Sequence, residues 1–242
     1  PIYHLTERIQ ETEELRRRFV ADASHELKTP LTSIRLLSDS ILQDPGMDPE
    51  LTREFVTDIG REAERLARIT EGLLSLARLD RGLQEQQEVI DVSAQVRYAI
   101  HLLLPLAESK GIIIRSELAS GCLVQISGDD MSHIANNLIE NAIKYNVPEG
   151  SVMVQLAIDG EDVVLAVEDT GIGIPAEDRE RIFERFYRVD KARSREAGGT
   201  GLGLSIVHDI VLHAGGSIRL EENSGSGSRF LVTLPLVSED TP

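Results

Sequence analysis

The sequence predicts two domains of different fold class: an all-α antiparallel helical hairpin that forms a dimeric four-helix bundle, followed by an α/β two-layer sandwich. The first 80 or so residues contain three Gly, and their apolar side chains recur at three- and four-residue spacing, which predicts long amphipathic helices. From about Asp91, short apolar runs alternate irregularly with helical segments. Such a mixture, without regular βαβ alternation, is typical of a sheet with helices on one face.

The helical region is divided at Gln43–Pro49, because Pro and Gly cannot continue a helix. Two helices joined by so short a loop lie antiparallel. One hairpin has too little interior to shield both apolar stripes, so we expect two chains to pair. The stripes are formed by Leu5, Ile9, Phe19, Ala23, Leu27, Leu31, Ile34 and Ile41, and by Phe55, Ile59, Ala63, Leu66, Ile69, Leu73 and Leu76.

We predict five segments along the chain. Residues 1–18 form a coiled-coil lead-in helix, 19–80 the hairpin domain, 81–90 a linker, 91–237 the second domain and 238–242 a tail. In the second domain we predict helices near 93–109, 129–145, 176–183 and 202–213. The strands are expected at 112–117, 123–126, 152–158, 163–169, 217–221 and 228–234.

Composition narrows the classes of function. A net charge of −16 argues against a nucleic-acid-binding surface, which needs clustered Lys and Arg. The single Cys122 rules out an internal disulfide framework and suits a reducing cytosol. No run approaches the roughly 20 apolar residues of a membrane span. Since the chain begins at Pro1 without Met, we expect a cytoplasmic piece of a longer protein, with any membrane anchor in missing N-terminal segments.

His25 is the first candidate for chemistry. At about 100° per residue it lies opposite the buried stripe, together with Leu36, so its ring should face solvent. An exposed His is usually only a surface residue. Here Glu26 is adjacent, and a carboxylate that takes the Nδ1 proton leaves Nε2 as a nucleophile. Thr29 shares the face one turn later, and Pro30 predicts a local irregularity.

A second candidate group lies on the helix that ends near Tyr145. Asn137 and Asn141 are spaced i and i+4, on one face. Carboxamide oxygens suit Mg²⁺, and Lys144 adds a cation for phosphate. Taken alone, an Asn pair is more typical of capping or of helix–helix contacts.

A third group follows the predicted strand that ends at Asp169. That carboxylate suits an exocyclic amine such as adenine N6, and Gly171 and Gly173 allow the backbone to approach a flat ligand. Gly171–Ala176 also fits a dinucleotide-binding pattern. However, no second strand with a terminal acid follows about 20 residues later, which disfavours that interpretation.

A basic stretch and a glycine-rich segment come next. Seven of the 25 Lys and Arg residues lie in Arg179–Arg195, which alone is typical of a solvated charged surface. The stretch leads into Gly198–Leu204, where free N–H groups at a helix start could bind phosphates. A basic stretch followed by such a glycine-rich segment could bind the triphosphate of a nucleotide.

These motifs, in this order, resemble the H, N, G1, F and G2 boxes of sensor histidine kinases. The matching segments are His25–Pro30, Asn137–Asn141, Asp169–Gly173, Phe183–Phe186 and Gly199–Gly203. The resemblance covers nearly the whole chain. It implies a dimerisation and histidine-phosphotransfer domain, followed by an ATP-binding catalytic domain of the GHKL (Bergerat-type) superfamily.

The resemblance also implies an activity. The γ-phosphate of ATP would move to His25 and then to an Asp of a response-regulator receiver domain, which the kinase would also dephosphorylate. By position, Glu26 is the acid–base partner of His25, Thr29 places water for dephosphorylation, and Asn141 is the Mg²⁺ ligand. The other implied ligand-binding residues are Asn137, Lys144 and Tyr145, Asp169 for adenine, Gly171 and Gly173, Arg188 for the γ-phosphate, and Gly199, Thr200, Gly201, Leu202 and Gly203.

Two alternatives remain. Gyrase and MutL carry a water-activating Glu four residues before the magnesium Asn, and this chain has Asn137 there. An ATP-hydrolysing clamp is therefore disfavoured, but phosphate release without protein labelling would support it. A catalytically silent dimeric scaffold would bind ATP and leave His25 unlabelled.

Overall fold

The structure, a computed structural model, describes residues 2–80, 87–190, 199–221 and 226–237, with side chains from Glu13 onwards except that of Leu15. The chain divides into two compact units. One contains Pro1–Ala77 and Asp190–Leu202, and the other contains Arg78–Val189 and Gly203–Pro242. The first unit is helical and the second is α/β.

The helical unit contains α1 (Ile2–Gln43) and most of α2 (Pro49–Asp80), whose last three residues group with the α/β unit. Asp44 and Asp48 organise the connection, since Asp44 Oδ1 accepts from Gly46 N at 3.1 Å and Asp48 Oδ1 accepts from Glu50 N at 2.7 Å. Such bonds favour turns and helix starts over helix continuation. The predicted hairpin is confirmed. Because α1 is continuous across residues 18 and 19, the separate coiled-coil segment 1–18 stays a prediction.

A single hairpin leaves much of its apolar surface uncovered. The buried residues of α2 are Arg65, Ile69, Gly72 and Leu76. In α1, Leu27 is only half-buried, and Leu31 from the predicted stripe is 60% exposed. The stripes therefore extend beyond the surface that one chain covers.

The α/β unit is built on a five-stranded sheet whose strands are β2 (Ile113–Leu118), β4 (Ser151–Asp159), β5 (Asp162–Asp169), β6 (Ser217–Glu221) and β7 (Arg229–Pro235). Their order across the sheet is β2-β4-β5-β7-β6. The β2–β4 pair is parallel and the other pairs are antiparallel. In the β4–β5 register Val152 lies opposite Asp169, so the functional end of β5 is beside the start of β4.

Three helices contact the sheet or one another: α3 (Ser93–Ser109), α4 (Gly128–Lys144) and α5 (Gly203–His213). Ile134 and Leu138 of α4 and Leu165 of β5 are almost completely buried. Burying each such side chain contributes roughly 1.5–3 kcal/mol. The predicted two-layer α/β arrangement is confirmed.

Two predictions about this unit are wrong in detail. Strand β1 (Glu88–Asp91) begins inside the predicted linker 81–90 and ends at Asp91, the first residue of the predicted second domain; it pairs antiparallel with β3 (Leu123–Ile126). The predicted helix at 176–183 is instead two 3-10 turns, Ala176–Asp178 and Arg181–Phe183. Each turn closes with a bond to the third residue back, Asp178 N to Pro175 O and Glu184 N to Arg181 O, so no α-helical ladder forms. The predicted tail 238–242 and linker residues 81–86 lie outside the described residues.

Candidate functional site

His25 lies on α1 with its imidazole exposed to solvent, as its helical angle predicts. The Thr29 hydroxyl donates to the His25 carbonyl oxygen at 3.1 Å. Pro30 is buried, and α1 continues through it although it cannot donate to the Glu26 carbonyl. Within the described part of the chain, the His25 ring has no hydrogen-bond partner. An exposed imidazole of this kind is accessible as a nucleophile.

The carboxylate of Glu26 is held by α2. Glu26 Oε2 accepts from Arg65 Nη2 at 2.9 Å, and the two side chains are 19% and 6% exposed. Sequence reasoning missed Arg65, which joins Glu26 from 39 positions along the chain. A signal was present, however, because Arg65 continues the spacing of the buried residues Ile69, Gly72 and Leu76.

In the α/β unit, α4 carries the two predicted asparagines. Ser127 caps this helix, with its hydroxyl accepting from Asp130 N at 3.1 Å, and Asp129 adds negative charge to the first turn. The helix buries a broad apolar face and leaves Asn137 and Asn141 half-buried at its edge. The buried face consists of Met131, Ile134, Ala135, Leu138, Ile139, Ala142 and Ile143.

Asn137 packs against the start of α5. Its Nδ2 donates to the His133 carbonyl at 3.0 Å. A Cβ placed on Gly203 would lie 2.2 Å from Asn137 Oδ1, so a side chain there would displace the Asn137 carboxamide. The structure therefore brings two predicted site residues together, Asn137 and Gly203.

Asn141 and Lys144 lie one turn apart on α4 but differ in their contacts. The Asn141 carboxamide makes no hydrogen bond with another described residue. Lys144 Nζ is 2.9 Å from Glu140 Oε1, and the Lys144 side chain is 18% exposed. Asn141 thus offers an uncommitted oxygen, whereas the Lys144 ammonium already has a carboxylate partner.

Asp169 is 6% exposed at the end of β5. Its Oδ1 accepts from Gly171 N at 2.8 Å and from Ser228 N at 3.2 Å. Burial raises the pKa of the Asp169 carboxyl to about 6, although these two N–H groups act in the opposite direction. A fixed, desolvated acceptor of this kind discriminates strongly between hydrogen-bonding partners.

Glycines permit the close packing around Asp169. A Cβ on Gly171 would lie 2.3 Å from the Tyr145 carbonyl oxygen, and one on Gly227 would lie 1.9 Å from the Asp169 carbonyl oxygen. Gly173, with φ of +71°, approaches the Gly227 backbone as well. The site thus combines the predicted Tyr145, Gly171 and Gly173 with Gly227, which sequence reasoning missed.

Asn146 is a second residue that sequence reasoning missed. Its Nδ2 donates to Ala142 O at 3.0 Å and Ser151 O at 3.1 Å, while its Oδ1 accepts from Val147 N and from the Thr170 hydroxyl. This network fixes the end of α4 against the end of β5. Only the tertiary fold brings these segments together, and the available signal was an Asn just past a helix end.

The basic stretch 179–195 is largely paired where it is described. Arg181 lies over the Tyr187 ring at 4.2 Å and contacts Glu184, and the Tyr187 hydroxyl bonds to Asp178. Arg185 bridges Asp80 and Asp209 at 3.0 and 3.1 Å. These contacts match the solvated-charge interpretation for those residues. Arg188 is half-buried, and its role at a γ-phosphate stays a prediction, while Lys191, Arg193 and Arg195 lie outside the described residues.

The segment before α5 has the backbone expected of a tight turn. Gly201 has φ of +74°, and Leu202 N donates to the Thr200 hydroxyl at 3.3 Å. Gly199–Leu202 group with the helical unit, and Gly203 groups with the α/β unit. A phosphate-binding role for Gly199, Thr200, Gly201 and Leu202 stays a prediction.

Within the described ranges, no cluster of three or more His, Cys, Asp or Glu side chains could hold a metal ion. Over the same ranges, no helix combines the length and apolar character needed to cross a bilayer.

Two family descriptions match the chain. Residues 15–82 match the His Kinase A (phospho-acceptor) domain, and residues 127–238 match the histidine kinase-, DNA gyrase B- and HSP90-like ATPase. The chain belongs to the sensor histidine kinases. Its helical unit corresponds to the phosphoacceptor part of such a kinase, and its α/β unit corresponds to the ATP-binding part.

Named histidine kinases are similar over most of this chain. Sensor histidine kinase WalK of Bacillus subtilis is 35% identical over 98% of this chain and 39% of its own length. Sensor-like histidine kinase SenX3 of Mycolicibacterium smegmatis is 39% identical over 92% of this chain and 58% of its own length. The crystal structure of full-length ShkA in complex with AMPPNP is 28% identical with a TM-score of 0.66, over 95% of this chain and 47% of that one. This chain therefore spans roughly half the length of these kinases.

Proposed function

We propose that this histidine kinase transfers the γ-phosphate of ATP to its own His25 and then to an Asp of a response-regulator receiver domain. One observation carries the assignment: the exposed imidazole is followed directly in sequence by a carboxylate that is fixed from a second helix. Buried structural histidines lack this access. The match of residues 15–82 to a phospho-acceptor domain supports the same residue.

The transfer is a single displacement. His25 Nε2 attacks the γ-phosphorus, an N–P bond forms, and the bond from that phosphorus to the bridging oxygen breaks, so ADP leaves. The Nδ1 proton passes to the Glu26 carboxylate, which keeps the product imidazole neutral. The chemistry depends on position and charge neutralisation more than on covalent catalysis by the protein.

Asp169 accepts the adenine N6 amine in this proposal. The two backbone N–H groups on Oδ1 and the glycines around it leave a narrow, oriented acceptor. ShkA, a relative in fold and sequence, binds the ATP analogue AMPPNP. Gly171 and Gly173 would line the base, and Tyr145 would lie beside them.

The phosphates would lie towards the other predicted residues. Asn137 and Lys144 on α4 flank the triphosphate, and Arg188 reaches the γ-phosphate. The glycine-rich segment contributes backbone N–H groups from Gly199, Thr200, Gly201, Leu202 and Gly203.

Asn141 is the proposed Mg²⁺ ligand. Its carboxamide has no hydrogen bond to a described residue, so its oxygen is available as a hard donor. Mg²⁺ takes one or two protein ligands and completes its shell with phosphates and water, so an acidic cluster is not required. When bound, the ion neutralises charge on the phosphate oxygens.

The kinase is proposed to be a homodimer. Leu31 is 60% exposed on the face where α1 should be buried, and the other stripe residues of α1 from Phe19 onwards are only partly covered. A second copy would cover both stripes in a four-helix bundle.

Thr29 is proposed to place water for dephosphorylation of the regulator. An ATP-hydrolysing clamp is less well supported, because Asn137 occupies the place of the water-activating carboxylate and its side chain is used against His133 and Gly203. Attachment to a membrane through segments outside this chain, with these units in the cytoplasm, completes the proposal.

The test compares two exposed histidines. With γ-labelled ATP, His25→Gln should abolish acid-labile protein labelling and keep nucleotide affinity, because His25 takes no part in binding the base. The control His101→Gln, at an exposed position on α3, should label normally. Labelling retained in His25→Gln would refute the assignment, and so would steady phosphate release by a wild type that never becomes labelled.

A further inference from the structure

Arg65 stands out in the helical unit because it is a charged residue in the interior. It is 5% exposed, and no other Lys or Arg in the described ranges is buried. With Ile69, Gly72 and Leu76 it forms the buried residues of α2, at spacings of four, three and four. These are the positions that an amphipathic helix directs towards its core. An apolar residue would be expected at this position.

Two carboxylates, those of Glu26 and Glu62, lie near the buried guanidinium of Arg65. Nη2 donates to Glu26 Oε2 at 2.9 Å, and Nη1 lies 3.9 Å from Glu62 Oε2. Arg65 Nε and Glu62 Oε2 are both buried without a hydrogen-bond partner among the described residues. The arrangement is therefore not optimised for satisfying every polar atom.

A buried ion pair of this kind is poor evidence for a stabilising role. Desolvation of two charges commonly cancels their attraction, and well-packed apolar residues often stabilise a core as well or better. The buried Arg65 charge is therefore better explained by a role in holding the Glu26 carboxylate in place than by a contribution to stability.

Glu26 is the residue for which position matters most. It is adjacent to His25, and a flexible Glu on an exposed helix would sample many rotamers. A carboxylate can accept about four hydrogen bonds, so the bond from Arg65 does not use up its capacity. The bond from Arg65 Nη2 to Glu26 Oε2 restricts where that carboxylate can lie.

We propose that Arg65 is a positioning residue for phosphoryl transfer, holding the Glu26 carboxylate from α2 in the orientation that accepts the His25 Nδ1 proton. The inference rests on the proposed roles of His25 and Glu26. It adds that α2 contributes to the chemistry through one buried guanidinium. Any movement of α2 relative to α1 that lengthens the Arg65–Glu26 bond then lowers the transfer rate.

The test is a double-mutant cycle on the initial rate of His25 labelling across ATP concentrations. Arg65→Gln should lower the maximal rate by up to about 100-fold, the scale of a misplaced catalytic group, without changing KM for ATP. Arg65→Lys should recover part of the rate. In a Glu26→Gln background, Arg65→Gln should cause no further loss, because its partner is already gone.

Two controls separate this role from general destabilisation. Arg61→Gln removes an exposed Arg of the same helix that pairs with Asp58, and it should label like the wild type. Arg65→Met keeps the apolar volume of the stem, so it should retain helical content and dimeric mass even if the Gln variant does not fold, yet it should label as slowly.

Three results would overturn the inference: wild-type rates in Arg65→Met, losses in the Glu26 and Arg65 variants that multiply, or an effect on KM for ATP alone. If the proposed function itself is wrong, the result is different: His25→Gln would then keep its label, with or without a substitution at Arg65.

Discussion

His25 and Asp169 are both proposed to act on ATP, yet one stands exposed on a helix and the other is 6% exposed at the end of a strand. Around Asp169, backbone N–H groups, close-packed glycines and the Asn146 network fix every neighbour. Around His25, the contacts among the described residues are fewer: the Thr29 hydroxyl bonds to the His25 carbonyl, and Arg65 of α2 pairs with Glu26. A nucleotide that must be recognised needs a rigid, desolvated acceptor, whereas a nucleophile that serves two partners in turn needs access.

The two units differ in the same way in how they bury their apolar side chains. The α/β unit buries an apolar core that includes Ile134, Leu138 and Leu165 within one chain, while the helical unit leaves its stripe partly open. The helical unit should therefore depend on a second copy for stability.

The largest effect is expected from breaking that pairing. Leu31 and Leu36 are 60% and 58% exposed, but Leu31 lies on the stripe and Leu36 lies on the face of His25. Leu31→Asp should dissociate the dimer, since two leucines at roughly 1.5–3 kcal/mol each leave the interface. Sedimentation across protein concentrations measures this. Leu36→Asp should remain dimeric, and equal dissociation of both variants would mean that the stripe is assigned wrongly.

A smaller effect is expected on the affinity for ATP when Asp169 is replaced. Asp169→Asn replaces an acceptor with a group that presents an N–H₂ to the adenine amine or to the backbone donors. Affinity for ATP should fall by about 1–3 kcal/mol, or roughly 10- to 100-fold, measured by titration calorimetry. The neighbouring Glu168→Gln serves as the control and should bind normally. Unchanged affinity in Asp169→Asn would place the adenine elsewhere.

The buried Asp169 should also make stability depend on pH. Its pKa is about 6 in the folded protein against 3.8 as the ordinary value, so the folded state holds the proton more tightly. The stabilisation from this group is full below pH 3.8 and is lost as pH rises through 6. The slope is at most about 1.4 kcal/mol per pH unit.

Urea unfolding at several pH values tests this by difference. The free energy of unfolding of the wild type, minus that of Asp169→Asn, should fall between about pH 4 and pH 6.5. A difference independent of pH would show that the carboxyl titrates normally. Because adenine N6 prefers the ionised acceptor, ATP affinity should also weaken below pH 6.

The smallest effect on autophosphorylation is expected at Thr29. Its hydroxyl bonds to the backbone of its own helix turn, so Thr29→Ala should keep the labelling rate within about twofold. Dephosphorylation of a receiver domain should slow markedly. Thr57→Ala removes the same kind of bond from α2 and should change neither rate. Equal loss of both activities in Thr29→Ala would contradict a separate water-placing role.

Local patterns were sufficient to predict most of the fold. Apolar spacing predicted both long helices, and β3 and β6 lie at the predicted residues. Strand β1 was missed because Glu88–Asp91 is short and owes its pairing to β3. The prediction of an α-helix at 176–183 was wrong because the backbone hydrogen bonds there join residues three apart instead of four.

The site was predictable only where a motif carries its own chemistry. His25, Asn141 and Asp169 stand in segments whose residue types and spacing suggest a role. Asn146 and Gly227 join the site through the fold alone. The spacing of Arg65 from Ile69, Gly72 and Leu76 was a signal for burial, but only the hairpin places Arg65 on Glu26.

The most direct test of the central claim is to incubate the kinase with Mg²⁺ and γ-labelled ATP and map the modified residue by peptide sequencing under alkaline conditions. We predict label on His25 alone, acid-labile and absent from Asp169→Asn at low ATP. Label on any other side chain, or ATP consumed with no label on protein, would contradict the account.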